Sequence, residues 1–254
     1  MAPEKQTGLD LDSLADGAVG RATRFPIYID GLDELLEGGL PKGHVVLVAG
    51  PAGSMKSSIT FNTLYRNTME NNLRCLYVSL EQNRSSLLDH MEGLGMGIGE
   101  VQERFNIWDL GLIRSSLLEG PTWMDAFKKD VEEYKERVGL DMLVIDSLPV
   151  LDIICKWEDP RAELFHLFEW FRELEITTLL ISEMASDSRA YSRHDEDYLS
   201  DGIIILKMVE VDEVQVERRI RIVKMRATNH SMNNFNLIFD GGRFKITKVI
   251  GKHL

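Results

Sequence analysis

The sequence predicts an α/β fold: a mainly parallel, twisted sheet with helices on both faces, followed by a C-terminal antiparallel meander. Three observations predict it. Short, continuous apolar runs recur between residues 44 and 182, each about as long as a strand buried on both faces. Segments with apolar residues at helical spacing separate these runs, which is the alternation of βαβ units. After residue 200, strand-like runs follow one another with no helical pattern between them.

Each element has its own reason. Residues 44–49 (HVVLVA) form an apolar run stopped by Gly50, and 56–71 read as the helix that follows. Residues 73–80 (LRCLYVSL) are a second strand, and 83–94 a helix with Leu87, Leu88, Met91 and Leu94 on one face. Residues 105–110 are a short strand. Pro121 suits a first helical turn, and Trp123, Phe127, Val131 and Tyr134 continue its stripe. A third buried strand covers 142–145 and ends in Asp146. Asp159-Pro160 opens a helix striped by Leu164, Phe168, Phe171 and Leu174, and 176–182 (ITTLLIS) is a fourth strand. The meander takes 203–209, 214–224, 235–239 and 244–249, with Asp240-Gly241-Gly242 as a hairpin turn. Residues 1–22 read as a flexible lead-in and 23–254 as one domain.

Composition narrows the function. The chain has 254 residues, long enough to bury a core without disulfides. Its net charge of −12 disfavours a nucleic-acid partner or an anionic membrane, whose phosphates demand clustered Lys and Arg. Two distant cysteines, Cys75 and Cys155, exclude a disulfide framework or a zinc site and read as buried free thiols. The N-terminus has no apolar signal segment, and no apolar run nears the ~18 residues of a membrane span, so the expected location is cytoplasmic.

The chemistry concentrates at Gly50, Pro51, Ala52, Gly53, Ser54, Met55, Lys56, Ser57 and Ser58 (GPAGSMKSS), between a strand and a helix. That is the setting of a phosphate loop, in which successive backbone N–H groups and a helix N-terminus hold a β-phosphate. Lys56 is placed for the β- and γ-phosphates and Ser57 for Mg²⁺. Met55 departs from the pattern, which has glycine there. The position calls for φ > 0, so a side chain costs ~1–2 kcal/mol while the N–H donor is kept. Asp146, at the carboxyl end of a buried parallel strand, is the expected partner of the metal, and Glu81, at the end of YVSLEQ, the residue that activates water. A strand-ending turn aspartate and a glutamate capping the next helix are the plainer readings of these two.

With these residues placed, the chain resembles the KaiC-like branch of the RecA superfamily of ATPases over nearly all of 25–249. The resemblance rests on IDGLDELLEGGLPKGHVVLVAGPAG, YVSLEQ, MLVIDSL, LLISE, YLSDGIIILKMVEV and VKMRATNH. It implies a RecA-like core, ATP or ADP with Mg²⁺ as cofactors, and a homo-oligomeric ring, commonly a hexamer, with nucleotide between neighbours. Lys224 and Arg226 match a segment that reaches the adjacent subunit's phosphates, and Arg218 and His230 match positions near that nucleotide. Glu183 matches a phosphate-sensing position and Asp240 one near the adenine. Gln82 stands where the family's clock member has a second glutamate, which implies slow hydrolysis. On residues alone, Lys224 and Arg226 are a pair projecting from one face of a strand, and such pairs are more often solvated or salt-bridged than catalytic.

The reading that follows is a slowly hydrolysing regulatory ATPase, its protein partner unspecified by the sequence. The alternatives are a non-hydrolysing ATP- or ADP-binding module and a DNA recombination ATPase. The segment 184–201, where RecA-like rings carry a pore loop, is net acidic and argues against the last. Gly93, Gly95, Gly97 and Gly99 follow a helix instead of a strand, so they read as a helix end and turn and not as a dinucleotide loop.

Overall fold

Ten strands join in one sheet because the chain keeps returning apolar runs to the same layer. The computed structural model describes residues 23–110, 121–184 and 196–249; the expected lead-in, and residues 185–195 of the expected pore loop, lie outside these. In chain order the elements are β1 (Arg24–Phe25), β2 (Ile29–Asp30), α1 (Leu32–Leu35), β3 (Leu40–Pro41), β4 (Val45–Gly50), α2 (Lys56–Asn71), β5 (Cys75–Ser79), α3 (Arg84–Gly93), β6 (Phe105–Asp109) and α4 (Pro121–Val138). There follow β7 (Met142–Asp146), α5 (Leu148–Cys155), α6 (Pro160–Glu173), β8 (Thr177–Glu183), α7 (Glu196–Leu199), β9 (Gly202–Glu210), β10 (Val216–Met225), β11 (Phe235–Asp240) and β12 (Arg243–Lys248).

The large sheet runs β2-β12-β11-β10-β9-β4-β8-β7-β5-β6. From β9 to β6 every pairing is parallel. From β9 to β12 the pairings are antiparallel, so the expected meander continues the same sheet. β1 and β3 pair separately.

Alternate residues of the parallel strands divide the core in two. Val46, Val48, Tyr77 and Val144 face α2 and α3, while Val45, Leu47, Val78 and Ile145 face α4, α5 and α6. On α2, Ile59, Phe61 and Leu64 are fully buried, each worth ~1.5–3 kcal/mol relative to exposure. The helix stops at Asn72, which takes φ 56°, and the next residue, Leu73, returns its N–H to the Asn67 carbonyl. Asp159 caps α6 by accepting from the Ala162 N–H. Both cysteines are buried free thiols, as expected. The glycine run is also as read: α3 ends at Gly93, and Gly95 at φ 80° donates to the Glu92 carbonyl.

Parallel pairing fixes where function can lie. The carboxyl ends of β4, β5, β7 and β8 share one edge: Gly50 lies opposite Glu183, and Ser79 opposite Asp146. No helix among the described residues is long and apolar enough to cross a membrane.

Candidate active site

The loop from β4 to α2 is shaped by what its backbone tolerates. A side chain at Gly50 would come within 2.7 Å of the Leu206 carbonyl and 2.9 Å of Ser54 Oγ, so only glycine fits. Gly53 has φ 76°. Met55 is left-handed as the motif requires, at φ 72° and ψ 27°, and immediately precedes α2. No side chain caps that end of α2, so its first N–H groups have no partner within the helix, the arrangement anions seek. Met55 packs its side chain against the core, which returns part of the conformational cost. Met55→Gly is therefore expected to leave stability within ~1 kcal/mol of the parent, because relief of ~1–2 kcal/mol of backbone strain is offset by a looser unfolded chain and lost packing. Urea denaturation checks this; a loss beyond 3 kcal/mol would show that the methionine side chain, not its backbone, matters there.

Lys56 is buried under this loop, and Nζ donates to the Gly50 and Pro51 carbonyls, each at 2.9 Å. An ammonium carries three donors, so one remains for a phosphate. Burial pushes its pKa down, and the charges of Glu183, Asp146 and Glu81 oppose that shift. All three expected carboxylates thus act electrostatically on the lysine.

Asp146 is buried at the end of β7. Desolvation raises its pKa, while hydrogen bonds from Tyr77 and Ser57 favour the ionised form. The Tyr77 hydroxyl lies 2.5 Å from Oδ2. A buried carboxylate beside the Ser57 hydroxyl is an all-oxygen donor set, which suits Mg²⁺. Glu81 lies just past β5, exposed, and accepts a short hydrogen bond from Ser147 Oγ. The structure therefore brings together the loop 50–58, Asp146, Glu81 and Glu183.

The other expected site residues divide between the loop and more distant places. Arg218, which the resemblance set beside a neighbour's nucleotide, donates through Nε to the Gly53 carbonyl of its own loop at 3.3 Å. Register puts it there: Arg218 sits opposite Met208 near the far end of the β9–β10 pair, towards the loop. Lys224 and Arg226 share a side, as expected, though Arg226 falls one residue beyond β10. Lys224 Nζ donates to the Asp197, Tyr198 and Ser200 carbonyls at the end of α7 (3.1, 3.3 and 2.6 Å). Arg226 pairs with Asp201 at 2.7 Å. Asp201 also accepts from Arg172 Nε at 3.0 Å and from the Val45 N–H at 3.0 Å. Val45 opens β4 and Gly50 closes it, so this cluster lies about 16 Å from the chain's own phosphate loop by the rise of a strand. His230 Nδ1 stands 3.3 Å from the Ser231 carbonyl. Asp240, in the β11–β12 hairpin, is exposed and accepts from Lys245 at 2.8 Å.

Sequence reasoning missed Tyr77, Asp201 and Arg172. Tyr77 had a signal, since a tyrosine inside an otherwise aliphatic strand needs a partner for its hydroxyl. The other two had none, because their partners come from distant segments.

Comparison with known proteins agrees with this geometry. A family model described as "ATPase: KaiC" matches residues 25–249. The chain is 27% identical over 230 residues to the circadian clock protein KaiC2 of Synechocystis sp., covering 89% of this chain and 40% of that one. It is 26% identical over 223 residues to the UPF0273 protein MJ1359 of Methanocaldococcus jannaschii, covering 82% and 90%. The solved KaiC-like protein PH0186 from Pyrococcus horikoshii superposes with a TM-score of 0.77 at 26% identity, over 89% of this chain and 99% of that one. The chain spans between 40% and 49% of the length of the circadian clock relatives named by these matches. With a RecA-like sheet and a phosphate loop at its carboxyl edge, the chain belongs to the KaiC family of RecA-superfamily ATPases.

Proposed function

We propose that this protein binds MgATP on the loop 50–58 and hydrolyses it slowly, using nucleotide state to signal to a protein partner. The observation that carries this reading is the convergence of Lys56, Asp146, Glu81 and Glu183 on one loop at the sheet's carboxyl edge. Backbone N–H groups of the loop and the start of α2 hold the phosphates, and Lys56 neutralises the β- and γ-oxygens. Ser57 and Asp146 would hold Mg²⁺, which when bound screens phosphate charge. Glu81 orients the attacking water and accepts its proton, itself oriented by Ser147 Oγ. Glu183, beside Gly50, senses the terminal phosphate.

We place ATP between subunits of a homo-oligomeric ring, a hexamer by family resemblance. The position of Lys224 and Arg226, remote from their own loop, supports a role on a neighbour's nucleotide, with His230 alongside. Light-scattering mass on nucleotide-stripped protein tests the arrangement. A step from 28.9 kDa to a multiple near six on adding MgATP is expected, and a monomer at saturating MgATP would refute the ring. Phosphate release tests the chemistry: Glu81→Gln is expected to lower turnover roughly 10²-fold or more. Equal rates in the parent and the variant would remove Glu81 from the mechanism.

A further inference from the structure

We propose that Tyr77 is the positioning residue of the metal site: its hydroxyl pins one oxygen of Asp146, so that the other is presented in a single orientation. Tyr77 stands at the centre of β5 and is fully buried. An ionised carboxylate only accepts, so the phenol donates, here to Oδ2 at 2.5 Å. The ring cannot swing away, because it packs against Phe61 of α2 with centroids 5.6 Å apart. Ser57 and Thr60, on the first turns of α2, lie close enough to influence the hydroxyl's ionisation. Tyr77 therefore joins β5 to β7 through its hydroxyl and to α2 through its ring, beside the two side chains, Ser57 and Asp146, that the metal would use.

The arrangement has a chemical purpose. Mg²⁺ demands near-octahedral geometry and dehydrates reluctantly, so a carboxylate free to rotate serves it poorly. Hydrogen bonds that orient a ligand carboxylate are worth about 10–100-fold in metal affinity. The hydroxyl of Tyr77 spends its hydrogen bond on Asp146 and not on Lys56 or residues 50–55, whose backbone would grip the phosphates. Tyr77 should therefore act on the metal and not on the nucleotide. This inference rests on the phosphate-loop reading of residues 50–58.

The test is a double-mutant cycle read by binding. ADP affinity is measured by calorimetry in EDTA, and the affinity of the ADP complex for Mn²⁺ by electron paramagnetic resonance, for the parent, Tyr77→Phe, Asp146→Asn and the double variant. Tyr77→Phe is expected to bind ADP in EDTA within about twofold of the parent, and to bind Mn²⁺ at least 10-fold more weakly. An unchanged Mn²⁺ affinity overturns the proposal. So does a loss of metal-free ADP binding, which would make Tyr77 a support of the loop. If Tyr77→Phe does not fold because Asp146 is left short of a donor, the double variant removes that carboxylate and answers the question. Its Mn²⁺ affinity should equal that of Asp146→Asn, and a further 10-fold loss would show that Tyr77 does not act through Asp146. A parent that binds no ADP in either buffer refutes the phosphate-loop reading itself.

Discussion

Lys56→Ala should abolish the nucleotide chemistry of this protein. The lysine is the cation amid Glu183, Asp146 and Glu81. Without it, the charge of three carboxylates acts on an incoming triphosphate with less compensation, so the variant loses an attraction and acquires a repulsion. A hydrogen bond to a charged group is worth ~1.5–3 kcal/mol, or about 10–100-fold in ATP affinity. Turnover should fall further, roughly 10²–10³-fold, since charge develops on the oxygens that the lysine addresses. Calorimetry with ATP and a phosphate-release assay measure the two effects. Parent-like binding and turnover in Lys56→Ala would mean that the site lies elsewhere. The substitution also takes the Lys56 donor from the buried carbonyls of Gly50 and Pro51, so a thermal melt of the variant accompanies the binding measurement.

Asp201→Ala should have the largest effect on stability. Burial disfavours the charge of Asp201, but donations from Arg172, the Val45 N–H and Arg226 outweigh it and hold the carboxyl below the usual range. The side chain is 8% exposed. Arg226 is half exposed and contributes little; most of the effect comes from Arg172 and from the orphaned Val45 amide. We expect a loss of ~2–3 kcal/mol at pH 7, or roughly 4–12 °C in melting temperature for a domain of this size. Asp201→Asn, which keeps an acceptor for Val45, should lose less. Because the folded-state pKa is depressed, the parent's advantage is complete above the ordinary carboxylate pKa near pH 4. It fades as pH falls through the lowered value. Thermal melts of the three proteins between pH 3 and 7 check this, and an unchanged melting temperature at pH 7 would refute it.

The parts of this molecule that were legible in the sequence are those whose cause is local. β4, β5, β7 and β8 announced themselves because strands covered on both faces must be apolar throughout. The phosphate loop was legible because its chemistry uses nine consecutive residues, and even the left-handed Met55 followed from the motif. α5 was not legible. LPVLDIIC is apolar almost all round, so it shows no helical stripe against which to read a period. β1, β2 and β3 are two residues each, too short for any pattern. The site's supports were hidden for another reason: Tyr77 meets Asp146 across 69 positions and Val45 meets Asp201 across 156. Composition of neither segment hints at the other. The same distance hid what Lys224 and Arg226 touch, although the sequence did put them on one side.

Strand β4 is made early and completed late. Its two neighbours in the sheet are β8 and β9, and its first pairings are Val45 with Thr178 and Val46 with Gly202. On a ribosome adding about 5–20 residues per second, the second partner emerges roughly 8–30 s after β4 itself. Until β8 emerges VVLVAG has both edges unpaired, and until β9 follows it has one, the exposure that invites pairing between chains. The phosphate loop hangs from this strand, so a nascent chain lacking β9 has no settled seat for a nucleotide. Capture of ATP thus belongs to the finished chain, and a chaperone's most useful moment is the gap between the two.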